Sequence, residues 1–220
     1  MALVPNPLAM RIAQRISGPP LRRWYRAEVT GQGAVPGGGG VLLAANHLSF
    51  LDHYLLAAAS PRRMRFLGKR ELAEGLFGRF NVALGMVPVD RGRADMEAIG
   101  LIVEVLRGGA AVGVFPEGSR SPTGALYRFR SGLGRVAAEA QVPCVPVGLI
   151  GTAAVWPKGG WPQPHRPPAG TVQVHFGDVV APPAADARSR RAFTAKVHAQ
   201  VAKLSGQPLT NAFAPTSPTA

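Results

Sequence analysis

The segment of this chain best suited to chemistry is Asn46-His47-Leu48-Ser49-Phe50-Leu51-Asp52. It sets a histidine, which exchanges protons near neutral pH, five residues before a carboxylate. In one continuous helix His47 and Asp52 would lie about 140° apart and could not meet. They meet if His47 precedes the helix and Ser49 caps it, which places Asp52 in the first turn. Asp52 would then hold one ring nitrogen and leave the other free as a base. Two other readings attach to the same residues. Asp52 could close a capping box on the Ser49 amide. Alternatively, His47, Asp52 and His53 could contribute to a metal site, although no further His-x-His pair supports one.

Two more polar segments follow apolar runs. Gly85-Met86-Val87-Pro88-Val89-Asp90-Arg91 ends in an arginine able to fork onto a phosphate, or to pair with Asp90 or Asp95. In Phe115-Pro116-Glu117-Gly118-Ser119-Arg120-Ser121, Gly118 permits a sharp turn, and its amide and Ser119 could face an anion. Arg120 adds a positive charge, and Glu117 could accept from a substrate hydroxyl or orient an arginine. Ser119 does not fit a hydrolase elbow, which needs glycine two residues to either side; Glu117 and Ser121 stand there. Cys144 is the one cysteine, so neither an intrachain disulfide nor a cysteine-rich zinc site can form.

Elements must bring these segments together. Val41–Ala45, Met64–Leu67, Met86–Val89, Ala111–Phe115 and Cys144–Ile150 read as short strands, and Thr171–Phe176 alternates like another. Between them lie helical patterns at Ser49–Ala59, Glu71–Phe80, Asp95–Leu106 and Gly132–Ala140, with a basic amphipathic helix at Ala187–Leu204. This order predicts an α/β fold, a largely parallel sheet with helices on both faces. The three polar segments then fall at strand C-terminal ends, where such sheets bind ligands. Two of them carry arginine, which points to one cleft for a phosphorylated ligand.

The chain has 220 residues, 46% of them hydrophobic, enough to bury a sizeable core and so exclude a wholly disordered chain. No uninterrupted apolar run is long enough to span a bilayer. The net charge of +13 favours polyanionic partners. The sparse aromatics, 7%, argue against a nucleic-acid binder, which interleaves basic clusters with aromatic rings. Residues 1–36 read as an amphipathic, membrane-interface segment broken at Gly18-Pro19-Pro20, with Arg22, Arg23 and Arg26 beside Trp24 and Tyr25. A helix packed on the core is the alternative. Gly37–Gly40 reads as a turn or linker, residues 37–205 as the main domain and 206–220 as a flexible tail.

In order and spacing, the polar segments resemble the acyltransferase family of the 1-acylglycerol-3-phosphate acyltransferase (PlsC) type. His47 to Asp52 matches its His-x4-Asp motif, Gly85 to Arg91 its block ending Pro-x-Asp-Arg, and Phe115 to Ser121 its Pro-Glu-Gly-x-Arg-Ser block. Val142 to Val147 matches its late proline block, and Gly68-Lys69-Arg70-Glu71-Leu72 resembles its lysine-bearing segment. At Arg130 many members carry lysine. The resemblance implies transfer of a fatty acyl group from acyl-CoA or acyl carrier protein to a lysophospholipid hydroxyl, foremost that of 1-acylglycerol-3-phosphate. It implies His47 as base and Asp52 as its orienting partner. Arg91 and Arg120 would hold phosphate, Glu117, Gly118 and Ser119 would shape the acceptor site, and Lys69 would meet an anionic group. It implies no metal and no cofactor beyond the acyl co-substrate. An anionic membrane surface, on the cytoplasmic side and peripherally bound, is the expected partner; no specific nucleic acid is expected. The rival readings are a different lipid alcohol as acceptor, or a non-catalytic binder of anionic lipid on the same fold.

Overall fold

The structure is a computed structural model and describes residues 7–89 and 95–215. In chain order the elements are α1 (Pro7–Tyr25), β1 (Glu28–Thr30), β2 (Val41–Ala45), α2 (Leu51–Ala59), β3 (Met64–Lys69), α3 (Gly75–Ala83) and β4 (Met86–Val89). They continue with α4 (Asp95–Arg107), β5 (Ala111–Val114), α5 (Gly132–Ala140), β6 (Cys144–Ile150), α6 (Thr152–Val155), β7 (Gln173–Phe176) and α7 (Ala187–Ser205). The strands form one seven-stranded sheet in the order β1-β7-β6-β2-β5-β3-β4. Every pairing is parallel except β6 with β7.

Strand β2 sits at the centre and is buried along its whole length. Its period of two sends Val41, Leu43 and Ala45 to one core, shared with Leu51, Leu55 and Leu56 of α2. Leu42 and Ala44 enter the other core, with Leu106 of α4, Val136 of α5 and Val197 of α7. A continuous apolar run thus means a strand covered on both faces. Each of the fully buried leucines contributes about 1.5–3 kcal/mol of burial.

Three expectations need correction. The first is the break at Gly18-Pro19-Pro20: α1 is one helix through it. Both prolines, with Arg15 and Ile16 whose carbonyls lose their donors, lie on the exposed side, where water can serve those carbonyls. Gly18 is buried against Ala58 of α2.

The second is the boundary that set residues 1–36 apart from the main domain; the alternative reading, a helix packed on the core, is the one that forms. Met10 and Tyr25 of α1 are buried, the Gln14 amide donates to the carbonyls of Met64 and Leu84, and β1 is an edge strand of the sheet. The Gly37–Gly40 turn is likewise held, because Arg62 donates to the carbonyls of Pro36, Gly38, Gly39 and Gly109.

The third is the flexible tail. Residues 207–215 lie along the loop before α5, with Leu126 N–H donating to Pro208 O, Thr210 N–H to Leu126 O and Arg128 N–H to Ala212 O. The apolar side chains of Leu126 and Ala214, 0% and 2% exposed, explain why this polar, proline-containing segment docks.

Candidate active site

His47 stands just beyond the C-terminal end of β2, and α2 begins four residues later. Asn46 fixes this exit: its amide donates to Leu149 O and its carbonyl accepts from Leu149 N–H, so a side chain continues the β2–β6 pairing after the strand ends. Ser49 does not form the expected N-cap. The cap position is Phe50, with no side-chain bond; the Ser49 hydroxyl accepts from Leu51 N–H and donates to Trp156 O, and α2 starts at Leu51.

Asp52 then meets His47. His47 Nδ1 lies 2.8 Å from Asp52 Oδ2, and the same oxygen accepts from the amides of Leu48 at 2.6 Å and Ser49 at 2.8 Å. The two readings of this spacing are both realised: one carboxylate closes the turn and orients the histidine. A carboxylate acceptor assigns the proton to Nδ1 and leaves Nε2 as the lone-pair nitrogen. The imidazole stacks on Phe115, with centroids 4.2 Å apart, and meets the His53 ring edge to face at 5.1 Å. Desolvation, then repulsion from His47, holds His53 down at about 3, and the charge of Arg120 adds to this. His53 is therefore neutral, and Asp52 serves His47. Among the described residues no three potential metal ligands converge.

The Pro116–Ser121 loop closes over this dyad in an unexpected way. Glu117 does not face a substrate: it is fully buried, with Oε1 accepting from His47 N–H at 2.7 Å and Oε2 from Tyr127 N–H at 3.0 Å. Burial raises its carboxyl to about 7 against the lowering effect of those two amides. Ser121 N–H donates to His47 O at 2.7 Å, so the loop grips the His47 backbone from both sides. Gly118 has φ +82 and a side chain there would strike Arg130, while its amide donates to Phe115 O within the turn rather than to an anion. The Ser119 hydroxyl donates to Pro215 O. Arg120 is half-buried, with its carbonyl accepting from Lys158 Nζ. Lys69 closes β3 opposite Val89 of β4. Arg91 lies outside the described residues. Cys144 is buried in β6 with its thiol pushed up to about 12, which leaves no thiolate for nucleophilic attack.

Beside the dyad, α1, α2 and α3 enclose a cavity of about 210 Å³ whose walls include Leu21, Leu51, Tyr54, Phe66, Phe80 and Trp156. It shares α2 with Asp52, and Phe66 touches His53, which touches His47. Sequence reasoning did not find this chamber, because its walls come from helices far apart in the chain.

The central sheet thus sets a His–Asp dyad just beyond the end of β2 and an arginine-bearing loop beyond the end of its neighbour β5. Residues 26–150 match the family model described as Acyltransferase, and the chain belongs to that family. It is 31% identical over 140 residues to a chloroplastic 1-acyl-sn-glycerol-3-phosphate acyltransferase of Brassica napus, a match covering 62% of this chain and 40% of that protein. It is 35% identical over 127 residues to 1-acyl-sn-glycerol-3-phosphate acyltransferase alpha of Homo sapiens, covering 56% of this chain and 44% of that protein. The chain thus spans less than half the length of these curated relatives. The crystal structure of PlsC, the 1-acyl-sn-glycerophosphate acyltransferase of Thermotoga maritima, superposes with a TM-score of 0.71 at 28% identity, covering 89% of this chain and 79% of that one.

Proposed function

We propose that the protein transfers a fatty acyl group from a thioester, on CoA or acyl carrier protein, to the free hydroxyl of 1-acylglycerol-3-phosphate. The observation that carries this is the bond from His47 Nδ1 to Asp52 Oδ2, which leaves Nε2 as a base. Nε2 takes the proton of the acceptor hydroxyl as that oxygen attacks the thioester carbonyl. The carbon–sulfur bond breaks, and the imidazolium returns the proton to the leaving thiolate. Asp52 stabilises the imidazolium between these events. The acceptor supplies its own nucleophile, which agrees with a buried Cys144 and with a Ser119 hydroxyl engaged elsewhere.

Arg120 supplies positive charge beside the His pair for the acceptor phosphate, and Arg91 joins it by resemblance to the family motif. The chamber between α1, α2 and α3 takes an acyl chain. Its outer walls expose Leu8, Ile12 and Ile16 on α1 and Leu76, Phe77 and Phe80 on α3. The protein rests there, peripherally, on an anionic bilayer at the cytoplasmic face. The test is turnover of labelled acyl-CoA and acyl carrier protein with a panel of lysophospholipids, read by lipid mass spectrometry. Phosphatidate should form fastest. Thioester consumption that ignores the acceptor would refute the reading, and a preferred acceptor without a terminal phosphate would move the acceptor assignment.

A further inference from the structure

We infer that Arg130 and the segment 212–215 form a brace that positions His47 from the far side of the Pro116–Ser121 loop. The inference rests on the acyl-transfer reading only for its kinetic arm. The chain of contacts is continuous. Ala214 O accepts from an Arg130 terminal nitrogen at 3.2 Å, and the Arg130 Nε donates to Glu117 O at 3.3 Å. The guanidinium groups of Arg128 and Arg130 lie 4.8 and 5.7 Å from the centre of the Phe213 ring. Pro215 O takes the Ser119 hydroxyl. Arg130 N–H donates to Pro116 O, so its backbone and side chain grip the turn at both Pro116 and Glu117. Gly118 has no side chain, and a Cβ there would lie 2.6 Å from Arg130 Nε; the turn is cut to fit this guanidinium.

The load then passes inward. Glu117 is the residue whose carbonyl Arg130 holds, and its carboxylate accepts the His47 amide. Four residues at the C-terminal end of the described chain therefore reach the base through two side chains. A buried base tolerates little misplacement, because a shift of about 1 Å can cost up to about a hundredfold in rate. Arg130 is a positioning residue in this scheme: it touches neither the reacting atoms nor, through them, the acyl group.

The experiment uses the full chain with Arg130→Met, Arg130→Lys, Phe213→Ala and the double variant Arg130→Met/Phe213→Ala. The first readout does not need turnover. Amide exchange by NMR should speed up at His47 and Tyr127 by about tenfold in Arg130→Met and Phe213→Ala, while Leu43 in β2 stays protected. Unchanged exchange at His47 would overturn the brace, whatever the enzyme does. The second readout is kinetic. Both single variants should lower kcat about tenfold with KM for the acceptor nearly unchanged, Arg130→Lys should retain most of the activity, and the double variant should be no slower than Arg130→Met alone. Additive losses would overturn it by showing that Arg130 and Phe213 act independently, and a rise in KM confined to phosphorylated acceptors would overturn it by making Arg130 a phosphate ligand. Faster turnover in Phe213→Ala would also overturn it, by making the segment inhibitory.

Discussion

His47 and Asp52 are five residues apart, and one oxygen of Asp52 does two jobs: it accepts two backbone amides and the imidazole. His47→Ala should lower acyl transfer by about 10²–10⁴-fold, the usual value of a general base, with the melting temperature nearly unchanged. Asp52→Asn should cost a similar factor and also destabilise the chain, because its amide cannot replace a carboxylate accepting three donors. Retained activity in either variant would contradict the dyad. Glu117 gives a separate, pH-resolved prediction. Its folded value is raised to about 7 from 4.5, so between those values the folded state keeps a proton that the unfolded chain has released. Its contribution therefore makes stability fall as pH rises from about 4.5 to about 7. Glu117→Gln should flatten that part of a plot of melting temperature against pH; an unchanged slope would show that another group carries it.

Asn46 and the three-helix chamber set the element-scale expectations. Asn46 joins β2 to β6 by two bonds to Leu149, both buried. Asn46→Leu would strand the amide and carbonyl of Leu149 at a cost of about 1–3 kcal/mol for each group. Chemical denaturation should show that loss as a lower midpoint with an unchanged slope. In the chamber, Ala57 forms part of the wall. Ala57→Phe should fill space near α2 and shift donor preference to shorter acyl chains while leaving His47 in place. A chain-length profile identical to that of the parent would mean the acyl group lies elsewhere. Helix α1 is integral to this chamber. It packs on α2 and α3, and Gln14 and Gly18 line the wall.

The whole molecule carries a charge of +13. No helix among the described residues is long and apolar enough to cross a membrane. Most of the exposed large apolar residues lie instead on α1 and α3, with Leu8, Ile12 and Ile16 exposed by 61%, 51% and 68% and Leu76 by 85%. Arg11 and Arg15 stand among them on α1 and Arg79 on α3. Each basic residue held near an anionic bilayer contributes roughly 1 kcal/mol, and salt screens that part while leaving the apolar contact. Vesicles containing anionic lipid should therefore float the protein at low salt and retain part of it at high salt. Ile12→Asp with Leu76→Asp should abolish the salt-resistant part. Flotation of the double variant equal to that of the parent would place the docking surface away from α1 and α3, and make the basic helix α7 the next surface to alter.

Much of this architecture is local, and local patterns are legible. The five apolar runs became β2 to β6 because a buried parallel strand has to be apolar on both faces, and His47 and the Pro116–Ser121 loop follow the ends of β2 and β5, where those apolar runs stop. Short-range spacing also brought His47 to Asp52. The tertiary structure decided what depends on distant partners. Glu117 looked like a substrate ligand, but whether a carboxylate faces solvent or takes two amides depends on where Tyr127 and His47 lie, 10 and 70 residues away. Gly18-Pro19-Pro20 carried a breaker signal, and packing of Gly18 on Ala58 overrode it. The last described residues looked like solvated tail, yet they docked because Leu126 needed cover and the loop before α5 offered unpaired amides. Polar groups reveal themselves in sequence when they pair within a turn; when their partners arrive from another element, only the folded chain names them.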